Sequence, residues 1–207
     1  MKKYIFPLAI TLLLASCSGN QKKILVLSNN NPVISDDQKT ITCKATSGHE
    51  ERSLDFTGDA IKASTAVGDA TINTPDKGYY VINLKANDTI IGSYQHFAAA
   101  GESQHVMTQD DLKKNIDSLK QLMEGKNVTE ANRNFFIPPN TGVKISSNAK
   151  AYVVAPYHPM ADVPATDDGS APEVYQFYTM SEVREILARL VKLTGAPTTP
   201  PAAPAKK

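Results

Sequence analysis

Seven short runs of strand-forming residues follow one another between Lys23 and Ala98, each closed by turn chemistry, and this spacing commits the N-terminal half of the chain to sheet. The runs are KILVLS (23–28), TITCKA (40–45), RSLDFT (52–57), AIKAST (60–65), ATINT (70–74), GYYVINLK (78–85) and TIIGSYQHFA (89–98). The breaks are NNNP, SGHE, two Gly-Asp pairs, TPDKG and AND, all rich in residues that turn a backbone. Short links make neighbours in sequence neighbours in space, so an antiparallel meander is expected. In TPDKG, Pro75 presets φ and Gly78 accepts a left-handed conformation, which predicts a hairpin joining the strands around Ile72 and Tyr80. Gly-Asp-Ala recurs at 58 and 68, too few copies for a solenoid, and reads as two similar turn-plus-strand units.

From Thr108 the period lengthens. TQDDLKKNIDSLKQLMEG puts Leu112, Ile116, Leu119 and Met123 on one face, with Thr108 as N-cap and Gly125 as stop. NVTEANRNFF is expected to form a shorter helix capped by Asn127 and Glu130 and ended by Pro138 and Pro139. GVKISS and KAYVVAP read as a strand pair turning at Asn148, and PYHPMADVPATDDGSA (156–171) as a loop. TMSEVREILARLVKLTG carries a Thr179-to-Glu182 capping box and turns Val183, Ile186, Leu187 and Leu190 inward. The Pro- and Ala-rich tail 196–207 cannot bury a core and is expected to be disordered.

The N-terminus carries a different message. Lys2 and Lys3 precede an apolar run from Tyr4 to Leu14, then Ala15, Ser16 and Cys17, after which the chain turns polar. That run falls short of the about 20 apolar residues of a membrane span and has the order of a secretory signal. Leu14-Ala15-Ser16-Cys17 resembles the lipobox of bacterial lipoproteins. The resemblance implies cleavage before Cys17, a diacylglyceryl thioether on its sulfur and commonly an added N-acyl chain such as palmitate. Two or more chains hold a protein firmly on a bilayer. The expected layout is a signal peptide at 1–16, a lipidated cysteine and short tether at 17–22, one α+β domain at 23–195 and the tail. Ser18, where some lineages place an inner-membrane retention Asp, points to the outer membrane of the cell envelope.

Charge excludes other classes. With 22 Lys plus Arg against 21 Asp plus Glu and no basic run, nucleic acid is not an expected partner. The expected partners are the membrane, through the lipid, and an envelope protein. Beyond Cys17 the only other cysteine is Cys43, whose place in ITCKA reads as a small buried residue on a strand, with no basic neighbour to activate it.

Catalytic patterns are thin. His49, His96, His105 and His158 are scattered, with no CxxC or HExxH, so no metal and no cofactor is expected. Asp167-Asp168 lacks the alternating ligands of a calcium loop. GESQH (101–105) approaches a nucleophile elbow, but His105 stands where the final Gly would permit the sharp turn. Ser103 and His105 are thus weak catalytic candidates, and an envelope hydrolase would need Ser103 and His158 to converge in the fold. The loop PYHPMADVP is the candidate binding element. Its prolines stiffen it while Tyr157, His158 and Met160 offer an aromatic face, a titratable ring and a soft apolar group. Asp88-Thr89-Ile90 and Asp117-Ser118-Leu119 resemble the O-glycosylation sequon of Bacteroidota envelope proteins. The leading expectation is a non-enzymatic envelope lipoprotein that binds or assembles with a partner; the alternatives are that hydrolase or a small-ligand carrier using the concave side of the sheet.

Overall fold

The computed structural model describes residues 21–96, 108–129, 131–160, 166 and 170–195. The lipobox with Cys17, the GESQH segment with Ser103 and His105, Asp167-Asp168 and the tail lie outside the described residues. The elements are β1 (Lys22–Ser28), β2 (Val33–Ile34), β3 (Thr40–Cys43), β4 (Glu50–Phe56), β5 (Ala60–Thr65), β6 (Gly68–Asn73), β7 (Gly78–Leu84), β8 (Ile90–Gln95), α1 (Gln109–Met123), β9 (Asn134–Ile137), β10 (Thr141–Ser146), β11 (Tyr152–Val154), β12 (Val174–Thr179) and α2 (Met180–Leu193).

The fold is α+β, as the strand and helix patterns predict, but the strands divide among three four-stranded sheets. A central sheet has the order β10-β7-β1-β4, a helix-side sheet β11-β12-β8-β9 and a distal sheet β2-β3-β5-β6. Most ladders are antiparallel, yet each sheet contains one parallel pair: β1 with β7, β11 with β12 and β3 with β5. The simple meander is therefore corrected. β1 skips β2 and β3 to lie between β4 and β7, because its apolar run can be buried only by sheets on both faces. Leu25, Leu27, Tyr79 and Val81 face the helix-side sheet, whose Ile90, Ile137, Tyr175 and Phe177 complete one core. Ile24, Val26, Tyr80 and Ile82 face the other way, onto Ile41, Ile61 and Ile72 of the distal sheet.

The expected TPDKG hairpin is also corrected. Its flanking strands β6 and β7 lie in different sheets, so Ile72 and Tyr80 share a core and not a ladder. Gly78 is nonetheless required there: its φ is +142°, and a Cβ would lie 2.2 Å from the Ser146 carbonyl oxygen of β10. The Gly-Asp-Ala echo forms β5 and β6, which pair with Ile61 opposite Ile72. Cys43 is buried on β3, as its alternation predicts.

Both helices start as expected. Thr108 and Asp111 form a reciprocal capping box on α1, and Thr179 and Glu182 do the same on α2. They pack on the outer face of the helix-side sheet, Leu122 and Val183 against Ile91 and Phe136. The short helix expected over NVTEANRNFF is absent from its described residues: a turn at 131–133 leads into β9, whose alternate side chains Phe135 and Phe136 enter two different cores. VYQFYT, unassigned by the periodicity argument, becomes β12. Of the two sequon-like triplets, Asp88-Thr89-Ile90 leads into β8, where Ile90 is fully buried, and Asp117-Ser118-Leu119 lies within α1.

Candidate functional site

The Pro-rich loop is tied down by a carboxylate. Glu51, on β4, accepts from His49 Nε2 at 2.6 Å and lies 3.3 Å from His158 Nε2 on the same Oε1. Tyr157 adopts φ +66°, a left-handed conformation unusual for a side-chain-bearing residue. Its N–H donates to Glu182 Oε1 at 2.8 Å, and its ring meets the His49 ring edge-on at 4.8 Å. Glu182 thus serves two backbones, the first turn of α2 and the loop. Lys85, buried on the sheet side, donates to Gly48 O at 3.0 Å, and burial pushes its ammonium below the usual lysine range. The structure therefore brings Tyr157 and His158 together with His49, Glu51 and Lys85, while Met160 sits half-buried nearby in sequence.

This cluster is arranged to hold the loop. A histidine base oriented by a carboxylate must offer its second nitrogen to the proton it removes. In His49 that atom, Nδ1, is buried without a hydrogen-bond partner. Among the described residues, no group of three or more His, Cys, Asp or Glu side chains is placed to hold a metal ion.

A second site escaped the sequence argument. On the inner face of the helix-side sheet, Arg133, at the end of the turn that leads into β9, stands beside Tyr94 of β8 and Tyr175 of β12. Tyr94 pairs with Tyr175, and the Tyr94 N–H donates to Arg133 O at 3.0 Å. The guanidinium carbon lies 3.7 Å from the Tyr94 ring centroid, and Nε donates to the Tyr175 hydroxyl at 3.1 Å. Glu173 Oε1 gathers the Arg133 guanidinium, the Tyr175 hydroxyl at 2.8 Å and the Ser146 hydroxyl at 2.9 Å. Arg133 itself sits at φ +50°, where the 129–133 turn ends. His96 meets the Tyr94 ring edge-on at 4.8 Å.

Arg133, Glu173 and Tyr175 line one side of a cleft of about 840 Å³, together with Asn134 and Phe135 of β9. Val143, Lys144, Ile145 and Ser146 line the other side. The charges are already matched: Arg133 pairs with Glu173, and Lys144 with Asp76 at 3.6 Å. The walls offer hydroxyls, amides, backbone groups and apolar surface, and no unpaired charge between those two pairs.

The Tyr175 hydroxyl is pushed up to about 12, first by burial and then by the hydrogen bond to Glu173. An unfolded tyrosine ionises near pH 10. The raised value therefore supports the fold fully below pH 10, and this support is lost as pH climbs from about 10 to 12. Urea unfolding at pH 8 and pH 11 should show a large alkaline loss, and Tyr175→Phe should reduce it. A residual loss is expected from Tyr79, Tyr80 and Tyr178, whose hydroxyls burial also raises.

The sequence pattern places Arg133 in a helix and Tyr175 in no element, which conceals the cleft. The available signal was RNFFI directly before two prolines, a short aromatic run ended by residues that cannot continue a ladder. Comparison of the chain with protein-family models, with curated proteins and with solved structures found no match.

Proposed function

We propose that this chain is a lipid-anchored protein of the bacterial cell envelope that acts by binding, and that the cleft between β9 and β10 is where it binds. The cleft carries the reading: its polar groups are pre-organised around Glu173, and its volume of about 840 Å³ falls in the range of ligand sites. The anchor rests on the Leu14-Ala15-Ser16-Cys17 sequence. β1 begins at Lys22, so an acylated Cys17 would hold the body within about 15–20 Å of the headgroups. Gly78 pairs with Lys22 and packs against Ser146, so the cleft lies toward the anchored end of β1. This favours a partner resident at the membrane, with outer-membrane placement following from Ser18.

Two measurements test it. The mature N-terminal peptide should carry the diacylglyceryl mass on Cys17, and the native protein should resist thiol reagents because Cys43 is buried, exposing a single thiol after denaturation. An unmodified N-terminus overturns the anchor. Tagged protein from gently solubilised envelopes should retain a stoichiometric partner, lost by roughly tenfold or more in Arg133→Ala, whose charge-assisted network is removed. Equal recovery by wild type and a folded Arg133→Ala overturns the cleft as the binding site.

A further inference from the structure

We infer that the cleft accepts an extended peptide, which adds as a strand to the open edge of β9. This rests on the cleft being the binding site and names what fills it. β9 and β10 each end a sheet, so each has one edge on which no strand of the described residues lies. They are joined by residues 138–140, yet they enter different sheets, and the cleft is lined by Asn134 and Phe135 of β9 and by Val143, Lys144, Ile145 and Ser146 of β10.

The register shows which groups are on offer. Arg133 O accepts from Tyr94 N, which makes this a hydrogen-bonded pair of the antiparallel ladder. With Ile90 opposite Ile137 and Gly92 opposite Phe135, the alternation directs Phe135 and Ile137 toward β8. Asn134 and Phe136 consequently turn both their N–H and C=O outward.

Other terminal strands are blunted. β2 and β11 have two and three residues, and β4 carries Glu51, Arg52 and Asp55. β6 carries Asp69, while β10 has Lys144 and a break in register between Lys144 and Ser146. β9 reads Asn-Phe-Phe-Ile, with neither charge nor proline, and its Asn134 and Phe135 border the cleft.

A ligand complementary to that edge presents N–H and C=O groups at strand spacing, which an extended peptide does. Because Arg133 and Lys144 already have carboxylate partners, the peptide need carry no charge. Phe135, Val143 and Ile145 favour apolar side chains at alternate positions facing the core. The chain's own tail is a poor donor, since Pro197, Pro200, Pro201 and Pro204 lack the N–H groups the ladder requires. The occupant we infer is a segment of a second, membrane-associated protein, the class of partner that the proposed lipid anchor would bring within reach of the cleft.

The test uses the full chain in detergent and a displayed library of random peptides without proline. Selected peptides should alternate apolar and polar residues, and their binding should slow exchange of the Asn134 and Phe136 amides by roughly tenfold or more. N-methylation of peptide residues that face β9 should weaken binding by about tenfold, since each methyl removes a donor and blocks the approach. Methylation at the intervening residues should have little effect. Failure to select any peptide, tolerance of methylation at every position, or unchanged exchange at Asn134 and Phe136 overturns strand addition. If an envelope partner is still lost in Arg133→Ala, the cleft remains the binding site with a different kind of ligand. If it is not, the binding reading itself falls.

Discussion

Gly92→Val should prevent this protein from holding its native core. Gly92 stands on β8 between Phe135 of β9 and Phe177 of β12, its partners on either side. With no side chain in between, the two rings approach to 6.0 Å between centroids. A Cβ at Gly92 would lie 2.2 Å from Phe177 Cε1 and 2.3 Å from Cδ1. Phe177 is fully buried, so its ring has no solvent-side rotamer to escape into. Overpacking costs about 1–3 kcal/mol when neighbours can shift, and more when they cannot. We expect Gly92→Ala to lose about 3 kcal/mol and Gly92→Val more, read from urea unfolding. Phe177→Leu should recover part of the loss in the double variant. The two sites are in contact, so their effects should couple by about 1 kcal/mol or more. Additive losses would mean that the ring does not occupy the space above Gly92.

How much of this was legible follows from the range over which each signal acts. Local signals carried through: the N-cap at Thr108 and the capping box at Thr179 are set by residues within one turn, and both formed. The alternation around Cys43 likewise predicted its burial. Partner choice did not carry through. Nothing within KILVLS states that β7, some fifty residues on, lies beside it in parallel, although an apolar run without alternation is the mark of a strand buried on both faces. The same limit hid the cleft. Tyr94, Arg133, Ser146, Glu173 and Tyr175 come from three strands and two segments that lead into strands, and each alone is an ordinary polar residue. The loop carrying Tyr157 and His158 was legible as a special segment through its prolines. Its tie to His49 and Glu51 crosses a hundred residues and was not.

Asn83→Ala should have an effect of similar size to Gly92→Ala, for the opposite reason. Asn83 is a fully buried amide in β7, in a strand otherwise filled by apolar and aromatic residues after its glycine. Its Nδ2 donates to Asp88 O and to Ile137 O, each at 2.8 Å, and its Oδ1 accepts from Lys85 N at 3.0 Å. These bonds fasten the central sheet to the turn before β8 and to the end of β9. Alanine would strand buried backbone groups at about 1–3 kcal/mol each, although Ile137 O keeps its ladder bond to β8. A net loss of about 3 kcal/mol follows, or roughly 6–12 °C in melting temperature for a chain of this size. Asn83→Asp separates hydrogen bonding from packing, because it keeps the shape and the acceptor but turns a second oxygen toward two carbonyls. Burial and those carbonyls would raise the pKa of the introduced carboxyl, so protonation restores one donor and the variant should gain on wild type as pH falls. A variant equally weak at pH 4 and pH 8 would show that the site needs both donors. Asn83 also fastens the end of β9 through Ile137. A folded Asn83→Ala protein should therefore exchange the β9 amides faster even where its overall stability is kept up by added osmolyte, which links the inter-sheet fastening to the edge proposed to receive a strand.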